Sequence, residues 1–260
     1  MKEKILKQLS GHPWAQLVQV HEVLDSTNTY AKTLARQGAP EGTVVIAQSQ
    51  TGGRGRLGRS FHSPKDSGLY MSLILRPNCP VDQLMHLTCA AAVAACDAVE
   101  QACGLRPGIK WINDLVLEGK KLGGILTELV FDSNGTVSAA VIGIGINCHC
   151  LSFPEELQNL ACSLSDFVDE TDPGLLAANL IQSFATMSRQ LFDRSTIMEH
   201  YRQDCVTLGK QVRLISPTGT ETGIAQAVND DGSLQVLFDN GQQKDVNAGE
   251  VSVRGLWDYL

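Results

Sequence analysis

"LVLEGKKLGGILTELVFDSNGTVSAAVIGIGINC", Leu115–Cys148, lies near the middle of the chain and decides the fold. Its apolar runs are rich in Val, Ile and Leu, and short polar clusters divide them. Glu118–Lys121 and Asp132–Thr136 are turn signals. Apolar runs bounded in this way read as strands. The two runs on either side of Asp132–Thr136 suit adjacent strands of one sheet. "GIGIN", Gly143–Asn147, lacks the G-x-G-x-x-G spacing. It reads as a strand with close backbone packing.

Outward from this centre, "LVQVHEVL" (Leu17–Leu24), "TVVIAQSQ" (Thr43–Gln50), "GLYMSLILRP" and "GIKWIND" add β segments. Helices alternate with them. Ile5, Leu6 and Leu9 share one face of an N-terminal helix. Asp25, Ser26 and Thr27 offer capping oxygens to a second helix, which carries a Tyr30, Ala31, Leu34 and Ala35 stripe and stops at Gly38. Leu84, Leu87, Ala91, Ala94, Ala98 and Ala102 predict a long buried helix over roughly 81–103. Leu176, Leu180, Phe184, Met187 and Leu191 mark another, with one more following at "TIMEHYRQDC". From about residue 209 the texture changes to short β segments separated by "NDDGS" and "FDNGQ", both hairpin signals.

Composition narrows the function. The chain has 260 residues, 43% of them hydrophobic, and a net charge of −7. That charge argues against a broad nucleic-acid-binding face. No run of apolar residues is long enough to span a membrane, and the polar N-terminus does not read as a secretory signal. Eight cysteines at irregular positions read as buried or inert thiols in a reducing cytoplasm. "CHC", Cys148–Cys150, has no second Cys/His pair at zinc spacing, so no metal site is expected there.

Against this acidic background "GGRGRLGR", Gly52–Arg59, stands out. Four glycines give it backbone freedom, and Arg54, Arg56 and Arg59 concentrate positive charge. It reads as a mobile loop that closes on an anion, or as a solvated basic loop. Ser26-Thr27-Asn28 is either a polar binding segment or only a helix cap. Lys110, beside Trp111 in an apolar strand, is either a functional cation or a lysine snorkelling from a strand end.

Taken in order, "DSTN", "QSQTGGRGRLGRSFHSP", "GLYMSL", "KWIND" with "KKLGGIL", "GIGIN" and a β-module ending "GEVSVR" resemble the biotin protein ligase family over about residues 20–254. The resemblance implies an α+β fold, a mixed β-sheet backed by helices, followed by a C-terminal SH3-like β-barrel. A catalytic domain at 1–208 and an SH3-like domain at 209–260 are expected. The implied reaction uses ATP, Mg2+ and biotin to make biotinyl-5′-AMP. Biotin then passes to a lysine of a biotin carboxyl carrier protein or of the biotin-accepting domain of a carboxylase. Residue by residue, Ser26, Thr27, Asn28 and Gln50 match biotin-binding positions. Arg54, Gly55 and Arg56 match the loop around the carboxylate and phosphate. Lys110 matches the lysine between the reacting oxygens, so Arg56 and Lys110 are the catalytic candidates. Arg56, Phe61, Lys110 and Asn147 match the nucleotide end. Asn113 and Asp114 match motif positions, with a structural and a magnesium-related role both open.

The chain departs from the family pattern at Ile112, where proline is usual, and at Phe61, where tryptophan is common. Some members carry an N-terminal DNA-binding winged helix of about 60 residues. The first ligase strand begins near residue 17 here, so no such domain and no nucleic-acid partner are expected. Members include monomers and dimers, and both remain open. A lipoate protein ligase and a non-catalytic biotin-responsive regulator are the alternatives.

Overall fold

Apolar strands alternate with amphipathic helices through the first two thirds of the chain. A computed structural model describes residues 1–78, 81–84, 86–149, 153–190, 193–216, 219–247 and 252–255. Helix α1 (Lys2–Gln8) buries Ile5 and leads into buried Leu9. Strand β1 (Val18–Leu24) precedes helix α2 (Thr27–Arg36), whose N-cap Ser26 accepts from the Thr29 amide. Gly38, at φ +88°, lets the chain turn away after α2. Strands β2 (Val44–Gln50) and β3 (Gly68–Leu75) enclose the arginine loop.

The single helix expected over 81–103 is divided. A 3₁₀ turn covers Val81–Leu84, and helix α3 spans Leu87–Cys103. The α-helix begins where the small apolar run begins; Asp82, Gln83 and His86 interrupt the apolar pattern upstream. Strands β4 (Gly108–Lys110), β5 (Asp114–Leu117), β6 (Lys120–Phe131) and β7 (Val137–Asn147) follow. The Trp111–Ile112 peptide between β4 and β5 is cis. The connection after β7 holds two 3₁₀ turns, Glu155–Leu157 and Leu164–Asp166. Helices α4 (Pro173–Arg189) and α5 (Arg194–Asp204) are capped by Asp172 and Asp193. Leu176, Leu180, Phe184 and Met187 are buried along α4; Leu191 lies outside the described residues.

The large sheet has the order β1-β2-β3-β7-β6-β5-β4. Only β1 and β2 pair in parallel; the other pairs are antiparallel. Side chains alternate between the two faces. Val45, Ile74, Val130, Ala139 and Val141 pack under Ala31 and Ala35 of α2. The opposite face joins the main core with α1, α3, α4 and α5. The sheet is therefore covered on both faces, as near-continuous apolar strands require.

Strands β8 (Gln211–Ser216), β9 (Gly219–Val228), β10 (Leu234–Phe238), β11 (Gln243–Val246) and β12 (Ser252–Gly255) form the C-terminal SH3-like module. Its sheet has the order β11-β10-β9-β8-β12, antiparallel throughout. Gly232 and Gly241 supply positive φ at the two hairpin turns read from the sequence.

Among the described residues, Cys89, Cys96, Cys103, Cys148, Cys162 and Cys205 are free thiols. Burial pushes Cys148 up to about 12 and Cys162 up to about 11, so neither forms appreciable thiolate near neutrality. Cys150 lies outside the described residues.

Candidate active site

The end of β7 explains how the cavity arises. Ala139 and Val141 lie beneath α2, and the same face continues through Gly143 and Gly145. There α2 begins, and Asn28 in its first turn, with Phe61 from the end of the arginine loop, takes the space that Cβ atoms would fill. A Cβ on Gly143 would stand 2.2 Å from Asn28 Oδ1, and one on Gly145 would stand 2.5 Å from Phe61 Cε1. The two glycines floor a cavity of about 310 Å³. Ser26, Thr27, Asn28, Gln50, Arg54, Gly55, Arg56, Phe61, Lys110 and Asn147 all line it. The structure thus brings together every site residue expected from the sequence.

One end of the cavity is a braced polar cluster. Asn28 is buried, and its Nδ2 donates to Leu126 O at 3.1 Å and to Glu128 Oε2 at 3.0 Å. Ser72 Oγ donates to Asn28 Oδ1 at 2.7 Å. These bonds fix which way the amide points, because both its hydrogens are used. Thr27 N donates to Gln50 Oε1 at 2.8 Å, and Gln50 Nε2 donates to Ser63 Oγ at 2.9 Å. Gln50 therefore ties the start of α2 to the far end of the arginine loop.

Glu128 and Lys32 brace this end from behind the cavity lining, and the sequence reading missed both. Glu128 accepts from Lys32 Nζ at 2.6 Å and stands 3.9 Å from Arg54 Nη1. Burial alone pushes the Glu128 carboxyl up. Hydrogen bonds from Lys32 and Asn28, with the charges of Lys32 and Arg54, outweigh it and leave the carboxyl below its ordinary value. Lys32 lies four residues after Asn28 on α2, so the two share a face.

The arginine loop is folded as a small hairpin. Phe61 N donates to Gly53 O, Arg54 bridges Ser60, and Gly55 N donates to Arg59 O at 2.7 Å. Leu57 and Gly58 take positive φ at its tip. Gly53 is a required glycine: its Cβ would stand 2.4 Å from Phe61 O. Arg56 Nη1 donates to Asn113 Oδ1 at 2.9 Å, reaching across the cavity to the turn after β4. Burial is the main cause that lowers the Arg56 guanidinium, with Arg59 adding to it and Asp114 opposing it.

At the other end, Lys110 is only 5% exposed. Asn113 Nδ2 donates to Ile125 O at 3.0 Å, and Lys121 Nζ pairs with Asp114 at 2.7 Å. Asn147 Nδ2 donates to Cys162 O at 3.0 Å. Phe61 meets Tyr70 edge to face, with centroids 6.3 Å apart. Phe153, Leu157, Leu160 and Ala161 form an apolar wall at this end, from a segment the sequence offered only as a connection. The lining is therefore strongly cationic around a polar and an apolar end. It can hold an anion among oriented donors.

A family model described as biotin/lipoate A/B protein ligase matches residues 20–147, and one described as biotin protein ligase C terminal domain matches residues 207–254. The bifunctional ligase/repressor BirA of Bacillus subtilis is 38% identical over 229 residues, covering 86% of this chain and 70% of that protein. The chain belongs to the biotin protein ligase family. A biotin–[acetyl-CoA-carboxylase] ligase of Mycobacterium tuberculosis is 33% identical over 250 residues, 93% of this chain and 90% of the relative. Among solved structures, the biotin protein ligase of Aquifex aeolicus in complex with biotin and ATP aligns with a TM-score of 0.78. It is 26% identical and covers 92% of this chain and 98% of that one. The family membership makes the chain a ligase.

Proposed function

We propose that this cavity takes biotin and ATP, forms biotinyl-5′-AMP and passes the biotinyl group to a lysine of a carboxylase carrier domain. A biotin carboxylate oxygen attacks the α-phosphorus, and the bond to pyrophosphate breaks. The carrier amine then attacks the acyl carbon; AMP leaves and an amide forms. Biotin's ring end belongs with Ser26, Thr27, Asn28 and Gln50, where polar side chains are already held in fixed orientations. The carboxylate and α-phosphate belong between Arg54–Arg56 and Lys110, where two anions have to be brought together. The base belongs with Phe61 and Asn147.

The observation that carries this reading is that the buried Lys110, Arg56 and the fixed Asn28 amide line one cavity. Oriented donors placed where charge develops stabilise a transition state without reorganising. Water exclusion by the hairpin protects the mixed anhydride from hydrolysis.

Mg2+ fits this site as a companion of the nucleotide. Among the described residues, no group of three or more His, Cys, Asp or Glu could hold an ion by itself. Asp114 is the one carboxylate on the described lining, and it is already paired with Lys121. An ion bound to the triphosphate needs few protein ligands, and it would neutralise charge on the departing pyrophosphate.

We draw the catalytic domain as 1–208 and the SH3-like domain as 209–260; the separate spans matched by the two family models support that division. The acidic net charge speaks against a broad nucleic-acid-binding face. Among the described residues no helix is long and apolar enough to cross a membrane, and the inert thiols suit a cytoplasmic location. A site lined by one chain is compatible with either monomer or dimer. ATP–pyrophosphate exchange tests the function: exchange that requires biotin supports it, and exchange that requires lipoate instead overturns it.

A further inference from the structure

We infer that the segment leading into the C-terminal module and the module's β9–β10 turn together position Lys110, through the Thr207 hydroxyl and the Gly232 carbonyl. This inference rests on the role proposed for Lys110.

Strand β4 has three residues, Gly108–Lys110, and stands last in the large sheet. One flank pairs with β5, with Lys110 opposite Asp114. So short a strand, held on one side alone, fixes its last side chain poorly. The other flank is not left to solvent. Ile109 bridges Cys205 in parallel, and Val206 N donates to Ile109 O at 3.0 Å. Gly108 lets this segment approach: a Cβ there would stand 2.4 Å from Val206 Cγ1. The chain that leads into β8 thus adds a strand-like edge to β4.

The residue after Lys110 is held twice more from the same direction. Trp111 N donates to Thr207 Oγ1 at 2.8 Å, and Trp111 Nε1 donates to Gly232 O at 3.0 Å. Trp111 and Thr207 are each 5% exposed, so both N–H groups depend on these acceptors. Gly232 lies in the turn between β9 and β10, and that turn is internally braced. Gly232 N donates to Asn229 O, Asn229 N to Ser233 O, and Ser233 Oγ to Asp231 Oδ1. Gly232 also seats against the core, where an added Cβ would meet Cys89 Sγ at 3.2 Å. Arg202 of α5 donates to Val228 O at 2.6 Å and pairs with Asp230, anchoring the side of the turn that leaves β9.

Lys110 therefore sits between two residues, Ile109 and Trp111, whose positions are set by residues 205–207 and 232. The contribution of this segment and of the module's β9–β10 turn is to hold the backbone that carries the lysine. A displacement of about 1 Å in a catalytic group can cost ~100-fold in rate. Thr207 and Gly232 are positioning residues; neither lines the cavity.

The test uses the full chain and compares Thr207→Val with Thr207→Ser, each made in the Lys110 enzyme and in Lys110→Ala. Valine keeps the volume and removes the acceptor, whereas serine restores it. Single-turnover adenylate formation should fall about 10- to 100-fold in Thr207→Val, while the biotin Kd stays within about twofold, and Thr207→Ser should match the parent. In the Lys110→Ala background Thr207→Val should cost nothing further, because no lysine remains to be misplaced. An equal loss in both backgrounds, a parallel loss of biotin affinity, or no loss at all overturns the inference. Near-normal adenylation by Lys110→Ala itself overturns the role of the lysine, a separate and recognisable failure. If Thr207→Val does not fold, Trp111→Phe removes the N–H donated to Gly232 and keeps a ring. It is read in the same two backgrounds, with the same outcomes deciding.

Discussion

Gly143→Ala and Gly145→Ala, two residues apart on one face of β7, are expected to injure opposite ends of the active site. Neither glycine has a positive φ, so each substitution changes little besides adding one methyl group. At Gly143 the methyl would lie 2.2 Å from Asn28 Oδ1 and 2.7 Å from Asn28 Cγ. Asn28 cannot simply swing away, since Leu126 O, Glu128 and Ser72 hold its amide. Each such bond is worth about 1 kcal/mol net, and overpacking costs of about 1–3 kcal/mol are usual. A loss of ~1.5–3 kcal/mol corresponds to a biotin Kd raised about 10- to 150-fold. At Gly145 the methyl meets the Phe61 ring, which is held by an edge contact to Tyr70. Such a contact contributes ~0.5–1.5 kcal/mol, so ATP binding should weaken about 2- to 10-fold. Calorimetric titration with each ligand reads the two effects separately. The reasoning fails if Gly143→Ala binds biotin normally in a folded protein, or if the two variants affect the same ligand equally.

Lys110→Ala should lower adenylate formation by about 100-fold or more, as loss of an oxyanion-type donor does, while circular dichroism stays native; pre-steady-state quench measures it. Arg56→Gly removes both a charged donor and the 2.9 Å tether to Asn113. It should let adenylate escape, and biotin on a bystander protein mixed with enzyme, biotin and ATP should exceed the wild-type level on a blot. Glu128→Gln should destabilise the protein at neutral pH, and the gap to wild type should narrow in acid. The folded carboxyl lies below its ordinary value, so its contribution is present above the unfolded pKa and lost as pH falls through the folded one. Urea midpoints across that range check the sign; a gap that widens in acid would sink the assignment.

The parts of the site legible in the sequence are those carried on contiguous stretches with unusual composition. Ser26–Asn28 announce themselves as caps, the hairpin by its glycines and arginines, and Lys110 by its apolar setting. The close packing at "GIGIN" was legible too, but not what would approach it. Asn28 and Phe61 lie more than 80 residues earlier in the chain. They reach the glycines only because β7 is inserted between β3 and β6. Glu128 was invisible for the same reason. On β6 it is one acidic residue among alternating neighbours, and its meaning comes from Asn28 and Lys32 lying across the sheet. The split of the expected helix at residues 81–86 has a local cause that propensity alone underweights: small apolar residues propagate a helix, but polar interruptions decide where it begins.

Asn113 shows how far a motif can be read before topology takes over. Its place in "KWIND" left structural and magnesium-related roles open. In the fold its Oδ1 accepts from Arg56. Its Nδ2 donates to Ile125 O and lies 3.3 Å from the Asp114 carboxylate. An amide has two hydrogens and one oxygen, and here both hydrogens face protein acceptors. Asn113 is thereby committed to joining three segments: the hairpin through Arg56, the β4–β5 turn on which it stands, and β6 through Ile125. Only its oxygen retains acceptor capacity, and Arg56 already faces it. The geometry favours the structural role: Asn113 ties the hairpin's arginine to the β4–β5 turn and to β6.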